Sequence, residues 1–97
     1  MVELSFTAEL WRWPAREAWH FVTVPEELAD DIRVMGQPHG FGSVRVEVTV
    51  GSSTWRTSVF PTAERQTFVL PVRQAVRRAE DIEDGDPITV SLRLLDS

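Results

Sequence analysis

Between residues 64 and 79 the chain carries four arginines and one glutamate, a cationic island in a protein whose net charge is −5. Arg73 and Arg77 are four residues apart, a spacing that sets both guanidiniums along one edge of a helix, where they can grip a carboxylate or phosphate. Arg56 and Ser58 share one face of the strand-like run before them, and Trp11 and Trp13 do the same near the N-terminus. Arg56, Ser58, Arg73, Arg77, Trp11 and Trp13 therefore form the candidate ligand-binding set, a shallow Arg and Trp surface for a small anionic ligand or a protein partner. A plainer arrangement competes with it. Arg77 can pair with Asp81 one turn on, and both arginines can oppose the negative end of the helix dipole.

Other chemistries find less support. His20 lies in a strand-like run between aromatic residues and His39 in a glycine loop, so no helical or hairpin spacing brings them together as metal ligands. Ser58 is the most distinctive hydroxyl, but no strand-turn-helix nucleophile elbow surrounds it. Asp84 and Asp86 are spaced for acid and base work, yet turn formation explains both. The residues thus predict no metal, no cofactor and no catalytic residue.

The elements that must position the candidate set follow from periodicity. Val2, Leu4, Phe6, Ala8 and Leu10 alternate with polar residues, the pattern of a strand with one buried face. Trp11 and Trp13 continue the alternation on the opposite face, which predicts a bulge or bend near Leu10 before Pro14 ends the strand. Trp19 to Val24 is a second β-prone run. Pro25 then fits the first position of a helix whose buried stripe is Leu28, Ala29, Ile32 and Met35, with Gly36 as its stop. Val44, Val46, Val48 and Val50 mark the clearest strand, and Gly51 to Ser53 turn it into a partner running to Phe60, which Pro61 ends. Phe68 to Leu70 is a further strand, and Pro71 is expected to open a second helix with Val72, Ala75, Val76 and Ala79 buried. An acidic turn through Asp86 leads to a last strand with Ile88, Val90, Leu92 and Leu94 on one face, and the final two residues are expected to fray. Trp19 and Trp55 are expected in the core, and Trp11 and Trp13 nearer the surface.

At 97 residues, 42% of them hydrophobic and 26% charged, the chain has the size and composition of one globular domain spanning 1–97. It contains no cysteine, which removes disulfides and thiol chemistry. No stretch approaches the length of a membrane span and the N-terminus has no basic leader, so the expectation is a soluble, cytoplasmic protein with no membrane partner. The acidic balance disfavours nucleic acid as a partner. All ten basic residues are arginine, a bias we ascribe to genome composition.

The two halves match in punctuation as well as pattern: Trp13-Pro14 with Phe60-Pro61, Val24-Pro25 with Leu70-Pro71, and Val44 to Val50 with Ile88 to Leu94. The fold class expected is mainly β, a six-stranded closed or split barrel built from two tandem strand-strand-helix-strand repeats, with short helices at about 25–35 and 71–80 over the barrel ends. Asp84-Gly85-Asp86-Pro87 is similar to the GD-box turn of cradle-loop barrels, a group that includes AbrB-like folds. Leu10 to Trp13, Trp19 to Pro25, Gly40 to Val46, Trp55 to Pro61, Leu70-Pro71, Val76 to Ala79 and Gly85-Asp86, taken in that order, resemble the DUF1905 family over almost the whole chain. Members are small bacterial and archaeal proteins, so the resemblance implies a small β-barrel and no particular reaction. The leading functional expectation is a non-enzymatic binding or interaction module, monomeric or homodimeric. The alternatives are a DNA-binding or toxin-neutralising regulator, by analogy with AbrB-like barrels, and a small hydrolase.

Overall fold

The computed structural model describes residues 2–15, 19–62 and 66–95. Seven strands and two α-helices are found among them: β1 (Glu3–Glu9), β2 (Trp11–Arg12), β3 (His20–Thr23), α1 (Glu26–Met35), β4 (Val44–Val50), β5 (Ser53–Pro61), β6 (Phe68–Pro71), α2 (Gln74–Ala79) and β7 (Pro87–Leu94). All pairings are antiparallel, in the order β1-β7-β4-β5-β6-β3-β2. The first and last members of that order are separated in the chain by Leu10 alone, so the sheet curls until it is nearly closed into a barrel.

Leu10 explains why seven strands replace the expected six. Its amide donates to the Asp86 carbonyl at 2.9 Å and its carbonyl accepts from the Gly85 amide at 2.8 Å, while the side chain is buried. The first half of this segment pairs with β7 and the second with β3, so one extended segment breaks at Leu10 and serves both edges. The turn that receives it needs Gly85, whose φ is 90°, and the Asp86 carboxylate accepts the Glu83 amide at 2.8 Å. The pairing scheme is unchanged when β1/β2 is exchanged with β5, β3 with β6 and β4 with β7.

Alternation places the core. Val44, Val46, Val48 and Val50 are buried along β4, and Ile88, Val90, Leu92 and Leu94 along β7, with their polar neighbours turned outward. Ala29 and Ile32 from α1 and Val76 from α2 join the same cluster. Gly36 ends α1 for a steric reason: an added Cβ would stand 2.6 Å from the Ile32 carbonyl and 2.7 Å from Val44.

Several expected details are corrected. Pro25 occupies the cap of α1 and Glu26 is its first residue. Met35 is exposed, so the buried stripe stops at Ile32. Pro71 lies in β6, and α2 begins three residues later at Gln74. The amides of Val24 and Val72 donate to Phe68 and His20, each at 2.9 Å, which makes Phe21 and Pro71 the non-hydrogen-bonded pair between them. On the other side of β6, pairing with β5 comes no nearer to Pro71 than Phe60 and Val69, so the missing N–H of Pro71 interrupts neither ladder. The later start leaves Val72 and Val76 buried while Ala75 and Ala79 are exposed. The final two residues, expected to fray, lie outside the described residues, as do Glu64 and Arg65 of the cationic island.

Candidate ligand-binding cleft

The outer face of β2, β3 and β6 is unusually apolar, and register shows why. Trp11 pairs with Phe21, and Phe21 pairs with Pro71. Two positions further on, past the Arg12 and His20 pair, the Trp13 amide donates to the Trp19 carbonyl at 2.8 Å. The Val72 to His20 hydrogen bond carries the β3–β6 ladder one step past Pro71, which puts Arg73 opposite Trp19. Three chain segments thus contribute a row of Trp13, Trp19 and Arg73 lying beside a row of Trp11, Phe21 and Pro71. The inward partners, Val22 and Leu70, are paired with each other and fully buried.

The rings pack against one another without covering the surface. Trp11 lies 5.1 Å from Phe21 at a 31° tilt, and its indole N–H donates to the Thr23 hydroxyl at 2.9 Å. Trp13 meets Trp19 edge to face at 5.8 Å and lies at the same distance from Phe21. Trp13 and Trp19 nevertheless remain 42% and 48% exposed, and Phe60 across the face is 45% exposed. Between them runs an open cleft of about 570 Å³, bounded by Trp13, Trp19 and Phe21 on one side and by Phe60 and Pro61 on the other. Val69, Pro71 and Val72 supply further apolar wall.

Two polar residues, Arg73 and His20, belong to the described lining. Arg73 carries its only full charge, and its guanidinium makes no hydrogen bond or ion pair with any described residue. His20 is 9% exposed, and its Nδ1 is buried with no hydrogen-bond partner. The family model for DUF1905, a domain of unknown function, matches residues 6–92. The chain belongs to the DUF1905 family. No curated protein matches it. The matched span runs from the middle of β1 into β7, so the cleft lies wholly within the DUF1905 domain.

Of the six candidate residues, the DUF1905 fold brings Trp13 and Arg73 into the cleft and keeps Trp11 beside it, packed on Phe21. Arg56 and Ser58 share the outward face of β5 with Phe60 but do not line the cleft. Arg56 instead reaches Glu47 at 3.4 Å, and Ser58 stands opposite Arg45. No hydrogen bond joins Ser58 to either histidine. Arg73 and Arg77 do not share a helical edge, because Arg73 precedes the helix with extended backbone and Arg77 turns back to donate to the Val72 carbonyl at 3.3 Å.

Trp19 departs most from expectation. It stands on the outer face, not in the core, because it shares the parity of Phe21 and Thr23, whereas His20 and Val22 share the other. Trp55 is only half-buried, packed against the core, with its indole N–H buried and unpartnered. Trp19, His20, Phe21 and Phe60 were missed as site residues. The signal available was the outward parity of Trp19 and Phe21, masked by an unbroken apolar run.

A second, polar groove of about 240 Å³ lies over β1, β7 and β4, between Glu3, Glu47, Thr49, Ser91 and Arg93. Register places Glu3, Arg93, Glu47 and Arg56 side by side across four strands, and Arg93 donates to Glu47 at 2.5 Å. This groove is a ladder of alternating charges that pair with one another, although the Arg93 Nε is buried without a hydrogen-bond partner among the described residues. Among the described residues no three His, Asp or Glu side chains converge as a metal site, and no helix is long and apolar enough to cross a membrane.

Proposed function

We propose that this DUF1905 domain is a binding module whose outer-face cleft takes a small organic molecule with an apolar body and an anionic group. The observation that carries this reading is the row of Trp13, Trp19 and Arg73, set side by side by strand register: two partly exposed indoles and a guanidinium with no pair among the described residues. Large aromatic side chains left partly in water, flanked by a cation that makes no pair among the described residues, are the composition of a recognition surface. The cleft volume of about 570 Å³ suits a small molecule. An unpaired arginine also favours an anion over a neutral or cationic ligand, since no carboxylate of the described lining offsets it. The exchange symmetry of the strand pairing supports an origin by internal duplication, and the Gly85 and Asp86 geometry supports the likeness of that turn to a GD box.

The test is a set of aromatic fragments, neutral and anionic, added to ¹⁵N-labelled protein. Binding in the cleft shifts the indole N–H signals of Trp13 and Trp19 and leaves that of Trp55 in place. A full set that moves neither signal overturns the reading.

A further inference from the structure

Resting on the binding reading above, we infer that the ligand is a flat aromatic carboxylate, its ring seated between the Trp19 and Phe60 sides of the cleft and its carboxylate paired with Arg73. The shape of the apolar part follows from the walls. Trp13, Trp19, Phe21 and Phe60 present ring faces and edges, and such surfaces gain most from a planar π-system placed offset or edge-on. Pro71 and Val69 give that side of the cleft no hydrogen-bonding side chain, so the body of the ligand needs no polar group there.

The headgroup follows from charge and geometry. Among the described residues the lining holds a single guanidinium, whose planar fork matches the two oxygens of a carboxylate. A phosphate monoester brings nearly two negative charges and more acceptor oxygens than this one cation serves. Register fixes where the charge must go. Arg73 stands opposite Trp19 at one end of the aromatic rows, so a ring lying along Phe21 and Pro71 directs its acid substituent to that end. His20 borders the cleft but offers the ligand no recognition group: its backbone carbonyl takes the Val72 amide, it shares the inward parity of Val22, and its Nδ1 is buried away from solvent.

The experiment measures Kd for 2-naphthoate, its neutral isostere 2-naphthamide and 2-naphthyl phosphate by calorimetry, on the wild type and on Arg73→Gln. Arg73 is exposed and outside the helix, so the variant folds, and its melting curve checks this. The expected result is that naphthoate binds the wild type about tenfold or more tightly than the amide, as a charge-assisted pair predicts. Arg73→Gln then removes that preference and leaves the amide affinity within about twofold. Equal binding of acid and amide overturns the carboxylate while leaving the cleft as a binding site. Tighter binding of the phosphate overturns the class of headgroup. Failure of all three to bind, with the Trp13 and Trp19 signals unmoved, removes the carboxylate together with the binding reading on which it rests.

Discussion

The carboxylate of Glu80 occupies the space that a side chain on Gly51 would need: a Cβ built there would stand 1.9 Å from Oε1. Glu80 follows the last residue of α2, and Gly51 opens the turn between β4 and β5. Ser53 donates its hydroxyl to Glu80 at 2.6 Å and Ser52 at 3.1 Å, so one acidic side chain fastens the helix end to the hairpin. This contact matters for the cleft, because α2 follows directly on Arg73 and β5 carries Phe60.

Gly51→Ala is predicted to destabilise the fold. The position has φ of +57°, a left-handed conformation that costs a residue with a Cβ about 1–2 kcal/mol, and the methyl also displaces the Glu80 carboxylate. Thermal unfolding should show a lower midpoint, whereas Gly40→Ala, where a Cβ meets nothing within 4 Å, should not change it.

Glu80 also sets a pH dependence. The Ser53 hydroxyl, together with the Ser52 amide and hydroxyl, holds its carboxyl below the ordinary value of 4.5, against an opposing effect of partial desolvation. A carboxyl depressed in the folded state contributes stability that is fully present above its unfolded pKa and is lost as pH falls through the folded value. Wild-type protein should therefore lie above Glu80→Gln in melting temperature at neutral pH, and the gap should close on acidification below about 4.5. A gap that is constant down to strong acid contradicts the assignment.

The charge ladder predicts an asymmetry between two neighbours on the same carboxylate. Glu47 is mostly covered and holds Arg93 at 2.5 Å, while Arg56, at 3.4 Å, is 68% exposed. Glu47→Gln should cost about 0.5–1.5 kcal/mol, and Arg56→Ala no more than about 0.5 kcal/mol. Urea titrations at low and high salt separate the two, since only the better covered pair should survive screening. An Arg56→Ala loss equal to that of Glu47→Gln would place the ladder's strength at the wrong pair.

Much of the fold was legible because a half-buried strand writes its own pattern. The four valines of β4 and the alternating apolar residues of β7 point inward as their period of two requires, and the break at Leu10 was visible where the apolar parity switches to Trp11. The helices were less legible. Pro71 looks like a helix opener in isolation, but its missing N–H falls where neither neighbouring strand uses it, so strand pairing claims it first. The Glu80 latch had no local signal, since its serines lie 27 and 28 residues away.

The sequence by itself determined the strands, their inward faces, the glycine turns and the membership of a β-barrel family, because each depends on residues near one another in the chain. Only the tertiary structure decided the cleft. Trp13, Trp19, Arg73 and Phe60 come from four separate segments, and periodicity says which way each points but not which strands lie side by side. That order is set by backbone hydrogen bonds common to every residue type, so it leaves no mark on the side chains it brings together.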